Sequence, residues 1–210
     1  MSIWKADALK LFLSHIAEHR EVAQQMKDAL AGYNISAFVA HTDIEPTVEW
    51  QIEIESALQT MDALVAVLTP GFHESRWTDQ EIGFALGRGL FVIPVRHGTD
   101  PYGFIGKFQG YQIAGLTYAT IAETVAKLLA KHYSTAQIMS RVLVSRFEQS
   151  QSWEGAKKNM DKLEFCTVLD EELLVRIETA AQTNAQISSA WGVPERVAAL
   201  LKTFRTTTGA

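Results

Sequence analysis

The sequence predicts an α/β fold over residues 1–132, a five-stranded parallel sheet with helices on both faces, followed by an all-α module over residues 133–210. Three observations lead there. Short, continuously apolar runs such as Ala63-Leu64-Val65-Ala66-Val67-Leu68 and Leu90-Phe91-Val92-Ile93-Pro94-Val95 flank a segment of helical period, the pattern of two buried parallel strands and their crossover helix. Residues 133–210 contain no strand-like run. The charge balance also changes there: residues 1–132 carry 10 Lys and Arg against 15 Asp and Glu, a balance of −5, whereas residues 133–210 carry 9 against 9.

In chain order, Leu9 to Ser14 reads as the first strand, and Val22, Met26, Ala29 and Leu30 mark a first helix from Glu18 to Ala31 that Gly32 terminates. Ile35 to Val39 is a second strand, followed by a polar, Pro-containing loop from Ala40 to Thr47. A second helix runs from Val48 to Leu58 on Trp50, Ile54, Ala57 and Leu58. The third strand, third helix and fourth strand form the unit from Ala63 to Val95. A Gly- and Pro-rich loop, Arg96 to Gly110, leads to a weak fifth strand at Tyr111 to Ile113, and Thr117 caps a last helix carrying Ile121, Val125, Leu128 and Leu129. Right-handed crossovers leave few topologies for such an alternation, and the strand order predicted is the flavodoxin-like 2-1-3-4-5.

The C-terminal module rests on four amphipathic stripes: Ile138, Val142, Leu143 and Phe147; Trp153, Ala156, Met160 and Leu163; Leu173, Leu174, Ile177 and Ala181; and Val197, Leu200, Leu201 and Phe204, the last entered by Pro194 at the first helical position. Trp153 and Trp191 are expected to pack within it, and Cys166 to be a buried small hydrophobe. A module this small is marginal alone, so its stripes are expected to be covered by the α/β domain or by a second copy of the chain.

Composition narrows the function. A hydrophobic content of 47% and a charged content of 20% are ordinary for a globular protein. No apolar run is long enough to span a bilayer, and the N-terminal residues lack a secretory pattern, so a cytoplasmic protein with no membrane role is expected. A single cysteine agrees with a reducing compartment. The net charge of −5 argues against nucleic acid as a partner. Phosphate-cradling loops are missing: there is no GxxxxGK[ST], and Gly83, Gly87 and Gly89 fall within or after the third helix rather than after the first strand. Ser14 and His15 stand where a phosphoacceptor receiver would place carboxylates, and no cluster has metal-ligand spacing.

What remains gathers at the carboxyl ends of the strands, where ligands bind in open parallel sheets. Ser14 and His15 follow the first strand, the loop from His41 to Glu45 with Asp43 follows the second, and Phe72 and His73 follow the third. Trp77 and Glu81, four residues apart, project from one face of the third helix. Two readings of Glu81 stay open on the residues alone: a functional carboxylate, or the last member of a capping box Thr78-x-x-Glu81.

The run Leu11-Phe12-Leu13-Ser14, the loop Asp43-Ile44-Glu45-Pro46-Thr47, the junction Ile54-Glu55-Ser56-Ala57-Leu58 and above all Ser75-Arg76-Trp77-Thr78-Asp79-Gln80-Glu81 before Phe91-Val92-Ile93-Pro94-Val95 resemble a bacterial TIR (Toll/interleukin-1 receptor) domain, over roughly residues 8–132. The resemblance implies an enzyme that cleaves NAD between nicotinamide and ribose, with Glu81 catalytic, Trp77 an aromatic wall, and NAD as substrate rather than cofactor; Ser14, His15, Asp43, Phe72 and His73, by their places after the strands, are expected around that substrate. It further implies ADP-ribose or a cyclic or conjugated ADP-ribose signal as product, a homo-oligomer, a downstream effector reached through that product, and a setting in prokaryotic antiphage defence. Two positions depart from the family pattern: Ala40 stands where many relatives carry Asp, and Thr47 replaces the Gly after Pro46. The competing expectations are a non-catalytic self-association module and a nucleoside 2-deoxyribosyltransferase, whose E-x-G-x-A helix resembles Glu81-Ile82-Gly83-Phe84-Ala85.

Overall fold

The computed structural model describes residues 3–40 and 50–208. Five strands, β1 (Leu9–Ser14), β2 (Ile35–Phe38), β3 (Ala63–Leu68), β4 (Phe91–Arg96) and β5 (Tyr111–Gln112), form one parallel sheet in the order β2-β1-β3-β4-β5, as the sequence predicts. Between them run α1 (Arg20–Leu30), α2 (Trp50–Thr60) and α3 (Thr78–Gly87), and α4 (Tyr118–Lys131) follows β5. The chain divides into two compact units, residues 1–125 and 126–210.

In the first unit the central strands are covered on both faces. Every residue of β3 is buried, as the unbroken apolar run requires. Leu11 to Ser14 of β1 pair in register with Ala63 to Ala66 of β3, which sets Ser14 beside Ala66 in the middle of the sheet. One face packs Phe12, Phe38, Leu64 and Leu68 against Ile54, Ala57, Ile82 and Ala85 of α2 and α3. Phe12 and Phe38 lie tilted with centroids 5.4 Å apart.

Several local expectations are corrected. The first helix begins after a 3-10 turn, Ala17–His19, and ends in another, Ala31–Tyr33; it is Asn34, at φ 56°, and not Gly32 that takes the left-handed position before β2. The buried stripe of α1 is Ala23, Met26 and Leu30, with Val22 and Ala29 turned half outward. The fourth strand is displaced by one residue because Gly89, at φ 69°, keeps Leu90 in the turn. Thr117 does cap α4, its hydroxyl accepting the Thr120 N–H at 3.2 Å. The expected start of the second helix at Val48 lies outside the described residues.

The second unit holds α5 (Ala136–Glu148), α6 (Trp153–Leu163), α7 (Glu171–Thr183), a four-residue α8 (Ala185–Ser188) and α9 (Val193–Thr208). The caps are visible in the sequence: Ser152 accepts from Gly155 N–H, Asp170 from Leu173 N–H and Asn184 from Gln186 N–H, at 3.0, 2.9 and 2.9 Å. Asn184 also donates to the carbonyls of Glu148 and Ser150, tying the short α8, which the sequence pattern did not predict, to the end of α5. Pro194 is the second rather than the first residue of α9. Met160, Leu163, Leu173, Ile177 and Val197 are buried as expected, and so is Cys166. Trp153 and Trp191 are not: they are 59% and 89% exposed, because Trp153 opens α6 on its outer side and Trp191 sits in the turn before α9, where the Lys157 ammonium lies 6.0 Å from its ring centroid. Among the described residues, no helix is long and apolar enough to cross a membrane.

Candidate functional site

The segment between β3 and α3 is built by its own side chains. Gly71 turns the chain at φ 82°, a 3-10 turn runs over Phe72–Glu74, and the Ser75 hydroxyl accepts the Trp77 N–H at 3.3 Å. Trp77 then stands at the N-cap position of α3, and Thr78, fully buried, donates its hydroxyl to the Phe72 carbonyl at 2.8 Å. Thr78 is therefore an anchor inside the helix. The capping-box reading of Glu81 does not hold, since its N–H bonds the Trp77 carbonyl at 2.9 Å and its carboxylate faces elsewhere.

Where it faces is decided by strand order. With β1 next to β3, the end of β1 lies under the first turn of α3, and the Ser14 hydroxyl donates to Glu81 Oε2 at 2.5 Å across 67 residues of sequence. Glu81 is only 6% exposed. Burial pushes its carboxyl up to about 7, against the opposing pull of the Ser14 hydrogen bond. A carboxylate in the first turn of a helix gains from the helix dipole. Here desolvation outweighs both.

A cavity of about 930 Å³ opens over this carboxylate at the carboxyl ends of the strands. Its walls are Leu13, His15 and Ile16 after β1, the turn Ala17–His19, Ala40 after β2, Ile54 of α2, and Pro70, Gly71, Glu74, Ser75, Trp77 and Glu81 after β3. His15 is buried, and its Nδ1–H donates to the Leu13 carbonyl at 2.8 Å, which orients the ring and fixes the tautomer. Trp77 is 40% exposed and offers part of its ring system as a wall. Such a site can receive a large, partly apolar ligand and bring one bond of it against a buried acid.

The sequence of this region decides the family, because residues 11–132, more than half of the chain, match the model of the TIR domain. The chain belongs to the TIR domain family. TIR domains are signalling and scaffold modules that associate with one another and with other TIR proteins. Among solved structures, this TIR domain is similar to that of the Toll-related receptor TRR-2 from Hydra magnipapillata, at 15% identity and a TM-score of 0.45, covering 56% of this chain and 98% of that one. No curated protein matches the chain.

Within the TIR domain, three of the residues singled out from the sequence, Glu81, Trp77 and His15, line one cavity, and Ser14 stands directly behind the first of them. Two others do not. Phe72 is completely buried and meets Tyr102 edge-on at 6.5 Å, and His73 meets the same ring at 6.0 Å; neither is among the residues that wall the cavity. The 3-10 turn rotates both side chains toward the loop after β4, where the Tyr102 hydroxyl donates to Asp79 at 2.5 Å. Asp43 lies outside the described residues. The Ala17–His19 turn, Pro70 and Glu74 were missed as wall residues; their positions after β1 and β3 were the available signal, since strand ends are where such a fold gathers its ligand contacts. Among the described residues, no group of three or more His, Cys, Asp and Glu is arranged to hold a metal ion.

Proposed function

We propose that this TIR domain cleaves the bond between the nicotinamide nitrogen and the ribose C1′ of NAD. The observation that carries the reading is the buried Glu81 carboxyl held by Ser14 at the wall of a cavity large enough for a dinucleotide. When the bond breaks, its electron pair goes to the nicotinamide nitrogen, which was cationic and becomes neutral, so the leaving group asks for no proton. Positive charge develops instead on the ribose. An ionised Glu81 in a water-poor site opposes that charge far more strongly than it would in bulk solvent, and Ser14 holds it in place before the reaction begins. Trp77 supplies a stacking face for one ring of the substrate and His15 a fixed imidazole beside it.

Water captures the ribose C1′ to give ADP-ribose, losing a proton to Glu81; capture by another nucleophile gives a cyclic or conjugated product. Either is a diffusible signal, and the resemblance carried by Ser75, Trp77 and Glu81 supports its use in antiphage defence through a downstream effector. We assign the cleavage to residues 1–132 and self-association to residues 133–210, where Trp153 and Trp191 are exposed on the helical unit. Turnover per protomer is then expected to rise with protein concentration, which light scattering run beside the assay checks; a monomer with concentration-independent turnover contradicts that assignment.

Incubation with NAD and, separately, with deoxynucleosides tests the chemistry. Free nicotinamide from NAD with no base released from deoxynucleosides is expected. Base release from deoxynucleosides alone points to deoxyribosyl transfer, and no release from either leaves a scaffold. The Trp77→Ala variant is expected to lose on the order of 1–3 kcal/mol of substrate binding if its ring stacks as aromatic side chains do on nucleic-acid bases, read as a lower kcat/KM. A variant that melts lower while its folded fraction keeps full activity makes Trp77 a packing residue instead.

A further inference from the structure

The first turn of α3 is held from two sides. Residues two apart on a helix project from opposite faces, so Asp79 points away from Glu81. On one face the Ser14 hydroxyl donates to Glu81 at 2.5 Å, and on the other the Tyr102 hydroxyl donates to Asp79 Oδ1 at 2.5 Å. Tyr102 reaches the helix from the loop after β4. That loop leaves the strand through Gly98, at φ 101°, where a Cβ would stand 3.1 Å from Cδ of Pro70 on the cavity wall. It is anchored again by the buried Ile105 of the 3-10 turn Gly103–Ile105, whose N–H donates to the Tyr102 carbonyl at 3.1 Å. The ring of Tyr102 lies edge-on to Phe72 and His73. Burial and the Asp79 carboxylate both raise the Tyr102 phenol, so it stays a donor throughout the neutral range.

We infer that Tyr102 is a positioning residue: through Asp79 it sets the rotation of the first turn of α3, and so holds the Glu81 carboxyl against Ser14 at the buried wall of the cavity. This inference rests on the NAD-cleaving reading above. The lever is short. Asp79 and Glu81 share one helical turn, and Thr78 ties that turn to the Phe72 carbonyl at 2.8 Å, so it moves as a unit. Side-chain ends lie roughly 5–6 Å from a helix axis, so a turn of about 20° carries a carboxyl about 2 Å. That is enough to part Glu81 from Ser14 and to let water reach it. A carboxylate so hydrated opposes a developing ribose cation much less strongly than one held in a dry wall. The Tyr102–Asp79 bond itself lies at the surface, so its loss is expected to cost the fold little while it costs the site its aim.

The test uses the full chain and Tyr102→Phe, which keeps the ring against Phe72 and His73 and removes only the hydroxyl. Its melting temperature is expected to stay within about 3 °C of the parent. For nicotinamide release from NAD, kcat is expected to fall about tenfold with KM changed by no more than about twofold. The acid limb of the pH profile is expected to move down by about one unit from its place near 7, because a carboxyl that turns toward water loses the burial that raises it. His15, Glu18, His19 and Glu74 of the described cavity wall and Glu55 of α2 are the same in both proteins, so a moved limb reports the placement of Glu81. Asp79→Asn, whose amide oxygen still accepts the Tyr102 hydroxyl, is expected to keep most of the rate and the limb near 7. Asp79→Ala is expected to match Tyr102→Phe, and the double variant to lose no more than either alone. A Tyr102→Phe variant that loses rate with its acid limb unmoved has lost a structural contact only, which overturns the inference, and so does an unchanged kcat; either leaves the NAD-cleaving reading intact. No nicotinamide release from the parent at any pH overturns both.

Discussion

Glu81→Gln is expected to lower nicotinamide release from NAD by roughly two to four orders of magnitude, the loss of about 3–5 kcal/mol of transition-state stabilisation. The substitution keeps the shape of the side chain, and the amide oxygen still accepts the Ser14 hydroxyl that now donates at 2.5 Å. What it removes is charge. In bulk water one carboxylate near a developing cation contributes little, but Glu81 is nearly sealed from solvent, where the same charge at the same distance acts several times more strongly. The loss is expected in kcat more than in KM, because the cation on the ribose exists only on the way to products. Steady-state rates on variant protein shown to be folded by circular dichroism measure it.

The same variant is expected to be the more stable protein at alkaline pH. The Glu81 carboxyl is raised from 4.5 to about 7 by burial, so the native state holds this proton more tightly than the unfolded chain does. Its favourable contribution is fully present below the unfolded value of 4.5, declines between there and about 7, and is gone above it, where the fold must keep a charge away from water. The difference corresponds to about 3 kcal/mol between the two ends of that window. Glutamine does not titrate and carries no such penalty. Melting curves of the two proteins at pH 4.5 and pH 8.5 are therefore expected to differ most at the higher pH, with Glu81→Gln melting several degrees above the parent there. Curves that keep the same separation at both values remove the claim that burial perturbs Glu81. A site that lowers the stability of its own fold is what a functional carboxylate, as opposed to a packing residue, looks like energetically.

How much of this was open to a reader of the sequence depends on the range of the interaction. The central strand Ala63–Leu68 coincides with its apolar run because both of its faces are covered, which leaves no polar position to blur its ends. The edge strands carry less apolar sequence and their limits were less sharp: Ile35–Phe38 and Tyr111–Gln112 are each one residue shorter than their patterns. Four-residue α8 is too short for any helical period to appear, and only its Asn184 cap announces it. At the site, the spacing of Trp77 and Glu81 fixed a shared helix face, and strand order put Ser14 nearby. That Glu81 turns inward to Ser14 could not be read, because Thr78 at the same helix end offered a local partner with equal sequence support. The anchoring of Thr78 to the Phe72 carbonyl decides against it. Phe72 and His73 went astray for a related reason, since a strand end locates a residue without giving its direction, and one 3-10 turn sends both toward Tyr102. Trp153 and Trp191 show the limit of hydrophobic pattern: large aromatics at the ends of helices lie on the surface of the second unit.

The most direct test of the central claim is the pH profile of nicotinamide release from NAD by the full chain. If the buried Glu81 carboxyl cleaves NAD in its ionised form, kcat/KM is expected to fall about tenfold for each pH unit below its raised value near 7 and to level off above it, with the acid limb absent from the residual activity of Glu81→Gln. Release that is flat from pH 5 to pH 8, that survives Glu81→Gln undiminished, or that cannot be detected at any pH contradicts it.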